Sequence, residues 1–239
     1  MKQNMETYND TKLYAQISSY MGRLLREKFG KGPTSIFVTI NKPYITIYLR
    51  DFLAPIERVL LEKGEWKRIE ETRDVLMQEL FPEIRKELKV IADLDVEDLH
   101  YDWNLDIHSG IVFGSIKHSD TVTGNSGLSK MDEEQFYTEI NKASERGQKV
   151  PEKTEVFWLN DRTIVTKRTG ILVEIEKQLI KNDFVEELKL TKRPMEKKMV
   201  DQKKLEDIIG KSIIDTFVDW NFEKDIGYFV FVTTPKKDL

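Results

Sequence analysis

GKGPTSIFVTINKPYITIYLRDFLAPIERVLL, from Gly30 to Leu61, sets a Gly-Pro turn, a tight hairpin and a proline-started helix one after another without filler. Gly30-Lys31-Gly32-Pro33 ends whatever precedes it, because glycine tolerates left-handed backbone and proline cannot continue a helix. Ile36, Val38 and Ile40 then alternate with Ser35, Phe37 and Thr39, and Ile45, Ile47 and Leu49 alternate with Tyr44, Thr46 and Tyr48. With Asn41-Lys42-Pro43 between them, the two runs predict a β-hairpin. Pro55 suits a first helical turn, where its missing N–H costs nothing, and Glu57 suits the positive helix N-terminus, so a helix is expected from about Ala54.

Upstream, Leu13, Ile17, Tyr20, Met21, Leu24 and Leu25 recur at three- and four-residue steps and predict an amphipathic helix over 11–29, with Asn9 or Asp10 as its cap. Downstream, Trp66 opens a longer helix with Ile69, Leu76, Leu80, Ile84, Leu88 and Ile91 facing inward and an irregularity at Pro82. Two strands follow, over 96–104 and 111–116. The stretch Lys117 to Lys130 is rich in Ser, Thr and Gly and lacks periodicity, as a linker does. Then the pattern starts again. Phe136, Ile140 and Ala143 mark a helix, 156–159 and 162–167 are strands, and 171–180 is a helix. A long helix from Phe184 to Ile208, irregular at Pro194, and two closing strands complete it.

The two halves share landmarks. Ile56-Glu57-Arg58 meets Ile175-Glu176-Lys177 119 residues on, Asn41 meets Asn160 at the same offset, and Asp102-Trp103-Asn104 meets Asp219-Trp220-Asn221 at 117. The drift calls for a short deletion, placed where Glu62 to Trp66 becomes Lys181 to Phe184. The fold class is therefore α+β: two diverged copies of one α-β-β-α-β-β unit, mostly antiparallel sheet with packed helices. The copies are expected at 1–117 and 131–239 with a linker over 118–130. Such copies often pack about a pseudo-two-fold, which makes a pseudo-dimeric monomer or a homodimer the expected state.

The chain has 239 residues, 39% hydrophobic and 33% charged, with a net charge of -4. It carries 17 basic and 20 acidic residues up to Asp120, then 21 and 22. Neither half is a polycation, so no nucleic acid is expected as partner. Without cysteine there is no disulfide and no thiolate chemistry. The polar start MKQNMETYNDTK and the lack of a run of about 20 apolar residues predict a cytoplasmic protein that does not insert directly into the membrane.

Arg73 falls among the inward positions of its helix, and a charge near a core needs a partner. Two readings stand: an ion pair with Glu57, or a carboxylate or anion ligand met by Arg73 with Glu57 and Lys31 beside it. Gly30, Gly32, Pro33 and Pro55 are structural positions, because the glycine turn follows a helix and precedes a strand, the reverse of a phosphate loop. His100, His108 and His118 lack paired metal-ligand spacing, so no metal and no cofactor is expected. Asp102 and Asp219, beside Trp103 and Trp220, fit strands with one solvated and one packed face. No nucleophile, acid pair or metal cluster stands out, and no catalytic residue is assigned.

Gly30-Lys31-Gly32-Pro33, the hairpin, Leu53-Ala54-Pro55-Ile56-Glu57, Arg73, Asp102 and Gly110 resemble the pattern of the MpsC family, named for a Na+-translocating, membrane-potential-generating system of bacteria. Ala54 stands where that pattern has Thr, so no hydroxyl helix cap is implied there. The second copy keeps Glu176, Asp219 and Gly227 but lacks the Gly-x-Gly-Pro turn. The resemblance implies a non-enzymatic accessory protein, peripheral to a membrane complex for ion or inorganic-carbon transport. The alternatives are a sensor of small anions or nucleotides, and an enzyme.

Overall fold

The computed structural model describes residues 2–117 and 126–235, with side chains described from residue 11 onward. His118 and most of the expected linker lie outside the described residues. The chain forms two compact units, residues 1–122 and 123–239. Among the described residues there are seven helices and eight strands.

In the first unit, α1 (Lys2–Phe29) leads into the hairpin β1 (Ser35–Asn41) and β2 (Tyr44–Arg50). Helices α2 (Pro55–Glu62) and α3 (Trp66–Ala92) and strands β3 (Val96–Asn104) and β4 (Ser109–Ile116) follow. The sheet is antiparallel in the order β1-β2-β4-β3. Its inward face, carrying Ile45, Ile47, Leu49, Leu99, Tyr101, Trp103 and Val112, packs with Ile17, Met21 and Leu24 of α1 and Ile69, Leu80, Ile84 and Leu88 of α3. The second unit repeats the order: α4 (Lys130–Gly147), β5 (Lys153–Trp158), β6 (Thr163–Thr169), α5 (Glu174–Lys181), α6 (Val185–Met199), α7 (Gln202–Ile209), β7 (Ile213–Asn221) and β8 (Ile226–Thr233). Its sheet runs β5-β6-β8-β7.

The duplication extends to the backbone. Left-handed residues recur in register: Asp51 (φ 52°) with Gly170 (69°), Gly64 (74°) with Asp183 (65°), Asp93 (50°) with Gly210 (64°), and His108 (55°) with Asp225 (51°). A register shift falls between Val96 and Leu99 in β3 and between Ile213 and Asp215 in β7. Because Gly64 and Asp183 still match at 119, the turn before the long helix keeps its length, and the deletion expected there lies elsewhere. It falls between Arg73 and Leu88, within α3. The second copy is two residues shorter there, and its helix breaks at Val200-Asp201 into α6 and α7. Asp201 caps the new helix, its carboxylate accepting from the Lys204 N–H at 3.1 Å.

Other expectations need correction. Helix α1 runs through Asn9 and Asp10, which therefore do not cap it. Pro82 and Pro194 both lie inside helices, and the break follows Pro194 by six residues. In α3 the inward position is Met77, with Leu76 only half-buried, as a 3.6-residue period carried from Ile69 through Arg73 requires. Helix α5 begins after Val173, so Ile171 and Leu172 precede it and lie outside the helix. The solvated strand face is absent: Asp102 is 0% and Asp219 5% exposed. The Asp102 carboxylate accepts from its neighbour's N–H, Trp103 N, at 2.7 Å.

Candidate functional site

Arg73 is 0% exposed and meets Glu57 in a fork: Nε donates to Oε1 and Nη2 to Oε2, each at 2.7 Å. Nη2 also donates to the Phe52 carbonyl at 3.0 Å, while Nη1 is buried without a hydrogen-bond partner. Glu57 Oε2 in turn accepts from the Ala54 N–H at 2.7 Å, so a carboxylate three residues into α2 caps a helix whose first position lacks a hydroxyl. One ion pair thus ties the link from β2 to α2 onto α3. The guanidinium carbon lies 4.5 Å from the Trp103 ring centroid, 4.8 Å from Phe52 and 5.9 Å from Phe29, an aromatic setting that favours a weakly hydrated planar cation.

Of the three candidate ligand residues, the structure joins Arg73 and Glu57 but not Lys31. Lys31 Nζ lies 3.9 Å from Asp51 Oδ1 at the surface. Gly30 takes φ 74°, as the turn requires. Gly32 sits against α1, where a Cβ would lie 3.0 Å from the Gly22 carbonyl oxygen. Its glycine is therefore set by close packing of the turn on the helix. Pro55 opens α2. His100 is buried and stacks on Phe113 at 4.9 Å between centroids. Among the described residues no three His, Asp or Glu side chains gather as a metal site would need.

The second unit repeats the arrangement with different chemistry. Lys192, 119 residues after Arg73, donates from Nζ to Glu176 Oε1 at 2.7 Å. Glu176 Oε2 accepts from the Val173 N–H at 3.1 Å, the counterpart of the Ala54 cap, and Gln148 Nε2 donates to Oε1. Lys192 Nζ lies 5.6 Å from the Trp220 ring centroid. This unit adds a second buried pair where the first has Leu49 and Met77. Arg168 Nη2 donates to Glu196 Oε2 at 2.6 Å, Lys192 Nζ lies 3.1 Å from Glu196 Oε1, and Trp220 Nε1 donates to the same oxygen at 3.0 Å. Burial opposes ionisation of Glu196, but Arg168 and Lys192 outweigh it and hold the carboxyl below its ordinary value. Four alternating charges, Glu176, Lys192, Glu196 and Arg168, therefore neutralise one another inside the unit.

Sequence reasoning left the counterpart of Arg73 open between Lys192 and Arg193. The 16-residue spacing from Glu57 to Arg73, repeated from Glu176 to Lys192, decides it. The Arg168–Glu196 pair escaped because Arg168 reads as the polar end of a strand and Glu196 as one of many helix glutamates.

These features define an internally duplicated α+β protein, each copy closed around a carboxylate–cation pair beside a tryptophan. The model of one protein family, described as Na+-translocating membrane potential-generating system (MpsC), matches residues 9–113 and again 130–234. The chain belongs to the MpsC family and carries two copies of its domain. No curated protein and no solved structure matches it.

Proposed function

We propose that the protein is a non-enzymatic cytoplasmic accessory or regulator of a membrane system that transports ions or inorganic carbon, and that it acts through a protein-binding surface. The family description supplies the link to a Na+-translocating, potential-generating system. Among the described residues no helix is long and apolar enough to cross a membrane, in keeping with a peripheral role. The observation that carries a binding surface is a repeated exposed residue. Ile56 and Ile175, second residues of α2 and α5, are both 67% exposed. An isoleucine kept at the same place in both copies, yet left in water, has no reason in the core. Sensing of small anions or nucleotides through Arg73 has less support, because Glu57 and Phe52 already engage two of its three nitrogens.

The test is co-purification of the tagged full-length chain, at native expression, with a membrane complex. The variant Ile56→Asp/Ile175→Asp should lose that complex and keep the melting temperature. Recovery of free protein alone, or a double variant that still co-purifies, refutes the reading.

A further inference from the structure

Helices α2 and α5 are equivalent, and five positions are exposed in both: Pro55 and Glu174, Ile56 and Ile175, Arg58 and Lys177, Val59 and Gln178, Glu62 and Lys181. Three of these pairs have changed chemistry, which exposed positions tolerate at little cost. Ile56 and Ile175 are unchanged, and Arg58 and Lys177 are both cations. Between them stand Glu57 and Glu176, which are buried and accounted for by the ion pairs to Arg73 and Lys192. Nothing within either unit accounts for the two cations in the same way. Among the described residues neither Arg58 nor Lys177 makes a side-chain hydrogen bond or an ion pair. A lone exposed cation is ordinarily a solvated surface group. This one is kept beside an exposed isoleucine, at the same spacing, in two helices whose other exposed positions have diverged.

The buried pair also fixes how the two residues are presented. Glu57 accepts from the Ala54 N–H and from Arg73 Nε, each at 2.7 Å. Glu176 accepts from the Val173 N–H at 3.1 Å and from Lys192 Nζ at 2.7 Å. With the residue between them turned inward, the isoleucine and the cation face water on a helical turn that is already ordered. Covering them therefore costs little backbone freedom. An apolar side chain covers the isoleucine favourably, and a carboxylate is the group that an unpaired cation beside it pairs with.

Resting on the reading of Ile56 and Ile175 as a binding surface, we propose that the partner presents an acidic, apolar peptide segment. One of its apolar side chains lies over the isoleucine, and one Asp or Glu pairs with Arg58 or Lys177. Because the element occurs in each unit, one chain takes two such segments. The first site is the stronger. Val59, 46% exposed and one turn on from Ile56, extends its apolar part where the second unit has Gln178. Arg58 can also hold a carboxylate through two N–H groups, whereas Lys177 offers a point charge.

The experiment uses the tagged full-length chain and the membrane complex recovered with it at native expression. Arg58→Glu/Lys177→Glu should lower recovery of the complex about tenfold or more and leave the melting temperature unchanged, and Arg58→Glu alone should cost more than Lys177→Glu alone. Arg58→Lys/Lys177→Arg, which keeps both charges, should still recover it. Carbodiimide, which joins an amine to a carboxylate in contact with it, should couple Lys177, and position 58 in Arg58→Lys, to an Asp or Glu of the partner that has apolar neighbours. A complex that survives the double charge reversal, or in which neither position couples to a carboxylate, overturns the acidic segment and leaves the binding surface standing. A double reversal that melts several degrees lower assigns the cations to the fold and overturns it as well. A parent chain that recovers no complex refutes the binding surface and this proposal with it.

Discussion

Replacing Arg73 tests whether the pair at the centre of the first unit holds the fold. Arg73→Met removes two hydrogen bonds to Glu57 at 2.7 Å and one to Phe52 at 3.0 Å. It leaves the buried Glu57 carboxylate with only the Ala54 N–H. Breaking a buried pair by removing one partner costs about 3–5 kcal/mol, a large share of the roughly 5–15 kcal/mol that keeps a domain folded. Arg73→Lys imitates the second unit, where Lys192 reaches its carboxylate with a single bond at 2.7 Å. It forfeits the fork and the Phe52 bond and should cost about 1–2 kcal/mol. Trp66, Trp103, Trp158 and Trp220 occupy both units, so bulk fluorescence would mix the signals. Hydrogen exchange followed in urea on peptides from α2 and α3 separates them. A Met variant within about 0.5 kcal/mol of the parent, or Met and Lys variants of equal stability, would refute a structural role for the pair.

Two further outcomes concern the same cores. Glu196 has a lowered pKa when folded, so its stabilisation is present above the ordinary value of 4.5 and lost as pH falls through the folded one. Glu196→Gln should cost about 3–5 kcal/mol at pH 7 and flatten the acid limb of the urea-measured stability. Arg168→Leu/Glu196→Met, which installs the residues of the first unit, should regain much of that loss, and an unchanged acid limb in Glu196→Gln would contradict the assignment. Gly110→Ala would drive a Cβ into the Trp103 ring and should destabilise by about 1–3 kcal/mol or more with a shift in tryptophan emission, whereas a silent substitution would mean the strand relaxes freely.

Much of the fold is legible because its signals are local. Alternation across 35–49, Pro55 at a helix start and positive-φ turns each act over a few residues, and β1, β2, α2 and β3 fall close to their expected places. What local signals miss is set by packing. Met77 replaces Leu76 on the inner face because the helix must also turn Arg73 toward Glu57. Asp102 and Asp219 are buried although a polar residue alternating with a tryptophan reads as the wet side of a strand. At the candidate site, periodicity places Arg73 inside, but the aromatic setting from Phe29, Phe52 and Trp103 comes from three separate elements that no spacing connects.

An internal duplication supplies a control that a single domain lacks, though its use depends on burial. Glu57 with Glu176, and Trp103 with Trp220, are shared and buried, and the distances above account for them as ties between the sheet and its helices. Loss from one copy is no sign of function by itself: Gly32 survives only in the first unit, yet the Gly22 carbonyl at 3.0 Å from its virtual Cβ explains it by packing. Ile56 and Ile175 are shared but exposed, so the core does not account for their retention. Tyr20 and Glu139 differ within equivalent helices. Glu139 closes a cluster with Lys142 and Lys204, and the Tyr20 hydroxyl lies against the Glu83 carboxylate, so each position is satisfied within its own unit by different chemistry. Chemistry beyond the fold is therefore to be sought where a shared residue is left in water.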